Sequence, residues 1–259
     1  MSAATELASS IGQLEVDGYL VLDGFLTSTR CAVIEDSLQR MINEDLSRGL
    51  RDFRDSYMVH NPMFRDPIFY GVLMDSILTH ILKEFLGEHF ILYAYTTSSL
   101  PANGTNWSRR IHVDCPRLIP NYPTNMNAFI PLTDMSVDNG GIELLPRSQW
   151  REMPPDDNEF RELSISPKMG AGSLLLFYSR LWHSGGQNKT TRPRHALTMN
   201  FCRSFMRQRF DYPRMVPPAQ VEGLDEMQRQ LLGFNVRVPA SMDEYYLSGE
   251  ERLYKPNQG

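Results

Sequence analysis

Two segments in the first third of the chain repeat apolar residues at the spacing of an amphipathic helix. Residues 27–46 begin with good N-cap residues. Their apolar stripe consists of Ile34, Leu38, Met41, Ile42 and Leu46. Residues 69–87 end at a glycine suited to the C′ position. Their stripe consists of Leu73, Ile77, Ile81 and Phe85. The pattern predicts two helices, preceded by a strand within residues 18–26.

From residue 89 onward the pattern changes to short runs of β-branched and aromatic residues, separated by Gly, Pro, Asn and Asp. Six such runs occupy residues 89–100, 110–115, 127–135, 141–146, 172–179 and 195–204. Runs of this kind predict an antiparallel sandwich or barrel, of which the jelly roll is one form. Because the helices come first, we expect a mainly β fold with flanking helices, in which N-terminal helices cover a double-stranded β-helix (jelly-roll, cupin-like) core.

No internal repeat or low-complexity linker divides the sequence, so we expect a single domain over residues 1–259. Its parts would be a helical layer at about 27–87, the jelly-roll core at about 89–204 and a C-terminal lid-like segment at 205–259. The last part is irregular in pattern except for a short helix predicted within residues 225–234.

Composition narrows the class of protein. Hydrophobic residues make up 41% and charged residues 22%, as in globular proteins that fold in water. A net charge of −5 argues against nucleic-acid partners, which require a basic surface. No apolar run is long enough to span a membrane, and no signal peptide is recognisable. Three cysteines without paired spacing argue against a disulfide scaffold, so we expect a cytoplasmic protein. Its oligomeric state stays open.

His112 and Asp114 form the first candidate metal motif. If residues 110–115 form a strand, side chains two apart share a face and can reach one ion. His183 follows an apolar strand, and two glycines after it leave space. Two histidines and one carboxylate are typical of the facial triad of non-haem Fe(II) oxygenases. The alternatives are an exposed polar strand at His112 and a histidine at His183 that only hydrogen-bonds a strand end.

Arg194 lies eleven residues after His183. A guanidinium binds a carboxylate through two parallel hydrogen bonds and stays charged when partly buried. The alternative, for Arg194 and for the neighbouring Arg192, is a solvated surface arginine.

Together these motifs resemble the phytanoyl-CoA dioxygenase family of Fe(II)/2-oxoglutarate oxygenases. The resemblance rests on the His-x-Asp pair, the distal His and the Arg eleven residues later. Residues 16–26, 127–150 and 181–197 are also similar to stretches of the family. The similarity extends from residue 16 to about residue 204.

The resemblance implies a role for each matching residue. The catalytic residues and metal ligands would be His112, Asp114 and His183. The cosubstrate-binding residues would be Arg194, Thr96 and Phe129. The cofactors would be Fe(II), 2-oxoglutarate as cosubstrate and O₂.

The chain departs from the family at two of these places. Leu100 stands where relatives commonly carry a lysine or another polar residue, and a tryptophan is common near Phe129. The aspartate at position 114, in place of the small residue of halogenating relatives, favours oxygenation.

The function implied is a dioxygenase that hydroxylates or otherwise oxidises a small organic substrate, in specialised metabolism, releasing succinate and CO₂. One alternative substrate is a lipid or a CoA- or carrier-bound acyl chain. Another alternative is a cupin-like metal-binding protein or isomerase that does not activate O₂. Arg194 favours the dioxygenase, because a metal-only cupin needs no fixed carboxylate partner. The substrate and the type of oxidation stay undetermined.

Two further features concern the substrate. Residues 47–68 and 206–234 are predicted to fold over the mouth of the barrel, at least one of them mobile without substrate, and to supply specificity. Five arginines are candidates for a basic rim around an anionic substrate, with a solvated surface as the alternative. They are Arg109, Arg110, Arg203, Arg207 and Arg209.

Overall fold

The computed structural model describes residues 11–49 and 57–258. Residues 11–17 are helical. The helices that follow, α1 to α8, are Ser28–Arg48, Tyr70–Leu73, Ser76–Leu86, Asp157–Leu163, Tyr212–Met215, Pro218–Val221, Glu226–Leu231 and Met242–Tyr245. The strands β1 to β7 are Tyr19–Leu22, Ile91–Thr97, Asn125–Pro131, Ile142–Leu144, Leu174–Tyr178, His183–Gly185 and Ala196–Cys202. No described helix is both long and apolar enough to cross a membrane.

The strands form two antiparallel sheets. The larger sheet has the order β1-β5-β3-β7-β2, and the smaller pairs β4 with β6. Isolated bridges extend the smaller sheet, since His112 pairs with His183 and Leu144 pairs with Ile165. This arrangement confirms the predicted mainly β, jelly-roll fold with flanking helices.

Helix α1 confirms the first helical prediction. Thr27 caps its start by accepting a hydrogen bond from Arg30 N, and Gly49 ends it in the left-handed conformation. Four of the five predicted stripe residues are buried, but Leu46 is 42% exposed near the end of the helix.

The second predicted helix is wrong as a single element. It breaks after Leu73, and the Asp75 side chain caps a new helix, α3, by accepting from the backbone N–H of Ile77. Three of the four predicted stripe residues are buried, but Ile77, in the first turn of α3, is 46% exposed, and its neighbour Leu78 is buried instead. Gly87 ends α3 with a positive φ of 88°, as predicted.

Two further expectations need correction. Residues 110–115 do not form a regular strand, because only His112 makes a bridge. The C-terminal segment is not irregular, since α5 to α8 lie in it, and α7 is the helix predicted within residues 225–234. Tyr212, Leu231 and Leu232 of this segment are buried in the hydrophobic core.

Leu38→Ala tests how strongly α1 is tied to the core. Leu38 is fully buried, so we expect the free energy of unfolding to fall by about 2 to 5 kcal/mol through lost burial and a cavity. Val33→Ala on the exposed side of the same helix is the control and should change it by less than about 0.5 kcal/mol. Urea denaturation measures both. Equal losses would show that α1 does not face the core as described.

Candidate active site

His112, Asp114 and His183 converge at one point. One ligand atom from each lies within 4.8 Å of the others. His112 Nε2 is 3.4 Å from Asp114 Oδ1, and His183 Nε2 is 3.8 Å from Asp114 Oδ2. Reciprocal backbone hydrogen bonds of 2.9 and 3.0 Å join the two histidines, which places their rings side by side. The convergence predicted from the sequence therefore occurs without a regular strand.

Backbone carbonyls orient both imidazoles. His112 Nδ1 lies 2.7 Å from the carbonyl oxygen of Arg110, and His183 Nδ1 lies 2.9 Å from that of Leu181. Because a carbonyl only accepts, Nδ1 is the donor in each ring, and Nε2 of each ring faces Asp114. This is the arrangement in which histidines bind metals.

Asn127 positions the carboxylate. Its Nδ2 donates to Asp114 Oδ2 at 2.7 Å, and its Oδ1 accepts from the Ser179 hydroxyl and from Asn200. Sequence reasoning did not identify Asn127. The sequence did indicate this position, because Asn127 lies two residues before the predicted site residue Phe129 on β3, and side chains two apart on a strand share a face.

The electrostatics of the cluster suit a cation. Burial raises the pKa of the Asp114 carboxyl, but the hydrogen bond with His112, the neighbouring histidines and Asn127 lower it to about 2. The carboxylate is therefore ionised at neutral pH. Burial lowers the pKa of His183, which favours the neutral imidazole that a metal requires.

A cavity of about 540 Å³ adjoins the cluster. All six predicted site residues line it, namely His112, Asp114, His183, Arg194, Thr96 and Phe129. The cavity lies between the two sheets, since β6 contributes one wall and β2, β3 and β7 contribute another.

Arg194 is 2% exposed, yet its hydrogen bonds go only to backbone carbonyls among the described residues. Its guanidinium donates to Ser98 O at 2.6 Å and to Gly140 O at 3.1 Å. Its Nε is buried without a partner in the described part of the chain. Burial lowers the pKa of Arg194 to about 10, so it stays cationic at neutral pH. Arg192, two residues earlier, is exposed.

Glycines allow the close packing behind Arg194 and His183. Gly140 has a φ of +83°, and a Cβ there would collide with the Leu100 side chain. Leu100 pairs with Arg194 through the backbone and lies outside the cavity walls. A Cβ at Gly185 would collide with the Ser108 side chain. Gly185 itself lines the cavity, as the space expected from the sequence requires, whereas Gly186 packs closely against the backbone of Gly140 and Gly141.

Thr96 and Phe129 form one row across the larger sheet. Both lie opposite Thr198, on the strands that flank β7. The Phe129 ring lies 5.9 Å from Arg194 Cζ, and the Thr198 hydroxyl is buried with no partner among the described residues. The row therefore offers an apolar face and an unused hydroxyl beside the guanidinium.

These residues fit a metal and a dicarboxylate. Two imidazoles and one carboxylate on a single side are the donor set of non-haem Fe(II) centres. The buried guanidinium without a carboxylate partner fits an anionic group entering the same cavity. Fold and site together define the class of Fe(II)/2-oxoglutarate oxygenases.

Comparison with known proteins leads to the family. Residues 14–196 match the phytanoyl-CoA dioxygenase (PhyH) family. The chain belongs to this family, as the sequence motifs indicated.

Relatives span most of the chain. An uncharacterized protein of Mycobacterium tuberculosis is 29% identical over 93% of this chain and 92% of its own length. The iron/alpha-ketoglutarate-dependent dioxygenase ausO of Aspergillus calidoustus is 24% identical over 71% of this chain and 64% of its own length.

Solved structures support the fold. The non-heme alpha ketoglutarate dependent epimerase SnoN from nogalamycin biosynthesis superimposes with a TM-score of 0.62 at 16% identity, covering 77% of this chain and 84% of SnoN. Membership of the family and the name of the ausO relative make the chain an Fe(II)/2-oxoglutarate-dependent dioxygenase, with the cofactors expected from the sequence.

Proposed function

We propose that His112, Asp114 and His183 are the catalytic metal ligands of Fe(II), and that Arg194 binds the distal carboxylate of 2-oxoglutarate. The observation that carries this proposal is the buried Arg194 guanidinium, which lacks a carboxylate partner among the described residues and lines the same cavity as the cluster. An isomerase or a metal-only cupin gives no reason to bury such a charge, because an unpaired buried charge costs free energy.

The chain's own residues would bind and orient the reactants. Thr96 and Phe129 form the wall along which the cosubstrate lies, and Thr198 offers its free hydroxyl there. When bound, iron and 2-oxoglutarate supply the oxidising power for attack on a substrate C–H bond, with conversion of 2-oxoglutarate to succinate and CO₂. The apolar side chains of Phe129, Ile142 and Phe177 exclude water from this space.

The substrate proposed is a small organic molecule of specialised metabolism. A cavity of about 540 Å³ supports this size class. The biosynthetic context in the name of the SnoN structure supports the type of metabolism. An acyl chain borne on CoA or a carrier stays the second candidate. We also propose a cytoplasmic location, supported by free, buried thiols at all three cysteines.

The chain would act as one catalytic domain in which two segments select the substrate. Met58, His60 and Arg209 line the cavity, and the ring of Phe210 contacts that of His60. The remainder of the predicted lid segment 47–68 includes residues 50–56, which lie outside the described part of the chain. Because the C-terminal segment supplies core residues, truncation after Arg209 would destabilise the fold, and point variants are the better test.

The test of this function is cosubstrate dependence. O₂ consumption and succinate formation by the iron-loaded protein should both require added 2-oxoglutarate. Succinate formation that is independent of 2-oxoglutarate, or no binding of 2-oxoglutarate at all, would exclude the proposal.

Asn127→Leu tests the positioning of Asp114. Loss of the hydrogen bond frees the carboxylate to rotate, so we expect metal affinity to fall by about 10- to 100-fold. Asn125→Leu is the control, because Asn125 is buried on the same strand but donates to Asn200. Chelator competition with Co(II) measures both affinities. A purely structural role for Asn127 would lower stability in both variants and leave their metal affinities equal.

A further inference from the structure

The five candidate arginines for a basic rim around an anionic substrate differ in their position relative to the cavity. Arg110 and Arg209 line the cavity. Arg109 and Arg207 are exposed and lie outside its walls.

Arg203 has a structural role. Its guanidinium donates to the carbonyl oxygens of Pro123 and Phe85, both at 2.8 Å, and it stacks on the Tyr122 ring at 3.8 Å. Only two of the five arginines therefore remain available to a molecule in the cavity.

The backbones of Arg110 and Arg209 are fixed beside the site. The Arg110 carbonyl accepts from His112 Nδ1, which ties this residue to the proposed metal ligands. The N–H of Arg209 donates to Tyr93 O on β2 at 3.0 Å, three residues before Thr96. The side chains are exposed, and neither forms an ion pair with any carboxylate of the described residues.

The formal charges of the groups in the cavity add up to an excess of positive charge. Asp114 is the one carboxylate among the described residues that line the cavity. A divalent metal with Asp114 carries +1, and 2-oxoglutarate with Arg194 carries −1, so these groups cancel. Arg110 and Arg209 then add two positive charges to the cavity. This excess stands out in a chain whose net charge is −5.

The other walls fit an apolar body. Met58, Trp107, Val113, Ile142 and Phe177 present carbon surface to the cavity. A substrate that packs against these apolar side chains and also binds the two guanidinium groups would combine an apolar part with an anionic group.

We propose that the substrate is a small organic anion, an apolar molecule bearing a carboxylate or a phosphate, and that Arg110 and Arg209 bind its anionic group. This inference rests on the proposed function, because the charge balance assumes bound metal and 2-oxoglutarate. It deepens that function by naming the chemical class of the substrate.

The test uses the protein loaded with Mn(II) and one equivalent of 2-oxoglutarate. Calorimetry measures binding of three compounds of similar shape, which are phenylbutyrate, phenylpropyl phosphate and the neutral phenylbutyramide. We expect both anions to bind more tightly than the amide, and added salt to weaken only the anions. Comparison of the two anions shows which of the two groups Arg110 and Arg209 bind more tightly.

Arg110→Met and Arg209→Met should each weaken anion binding by about five- to tenfold and leave amide binding unchanged. Arg109→Met and Arg207→Met are the matched controls and should bind anions as the wild type does. Equal binding of anion and amide, no anion binding at millimolar concentration, or equal effects in the controls would overturn the inference. Failure to load Mn(II) or 2-oxoglutarate would instead contradict the proposed function.

Discussion

His112→Ala and His183→Ala should each reduce 2-oxoglutarate-dependent turnover to the level seen without protein. Each change removes one of only three proposed protein ligands, so the site loses most of its metal affinity. The fold should persist, because the β-core is held by a large buried apolar cluster and not by the metal. Succinate formation and thermal unfolding, measured on the same preparations, check both statements.

The control for the histidine variants is His80→Ala. His80 lies on the exposed side of α3, so this variant should turn over normally. Turnover within about tenfold of the wild type in either ligand variant, a loss of only about 1.4 kcal/mol, would contradict the assignment of the triad.

Arg194→Ala should raise the 2-oxoglutarate concentration needed for half-maximal turnover. Removing one partner of a buried ion pair costs about 2 to 5 kcal/mol, which corresponds to roughly thirtyfold to several thousandfold in affinity. Arg194→Lys keeps the charge but loses the planar pair of donors, so we expect an intermediate value. Steady-state kinetics and direct binding of 2-oxoglutarate measure the effect.

Arg192→Ala is the matched control, because Arg192 is exposed and two residues away. It should change the 2-oxoglutarate requirement by less than about threefold. Since Arg194 also holds the carbonyls of Ser98 and Gly140, unfolding must be measured alongside. A larger effect from Arg192 than from Arg194 would show that the wrong arginine was chosen.

The three proposed metal ligands could be predicted from their spacing, whereas the roles of Arg194, Thr96 and Phe129 came from the resemblance to the family. His112 and Asp114 are two apart, which keeps both side chains near one point even without a strand. The spacing between His183 and Arg194 is maintained by a loop in which the Asn188 amide donates to the carbonyls of Pro101 and Arg192. A loop fixed in this way keeps the number of residues between His183 and Arg194 constant, so the spacing can be recognised in the sequence.

Features that depend on packing were not predictable in the same way. The apolar spacing over residues 73–85 favours one continuous helix, whereas the Asp75 side chain favours a new helix start. The spacing alone does not show which of the two prevails. The burial of Tyr212 and Leu231 depends on contacts with residues far away in the sequence. The role of Asn127 arises from a side chain that reaches across from β3 to Asp114.

The bridge between His112 and His183 bears on the order in which the protein assembles. These residues are 71 positions apart, and their backbones pair directly. Closing so long a loop costs more entropy than forming a local helix, so we expect this pairing to form late in folding. A chain in which this bridge has not formed would bring together only two of the three proposed ligands, His112 and Asp114. We therefore expect metal to bind only to chains whose β-core has already formed.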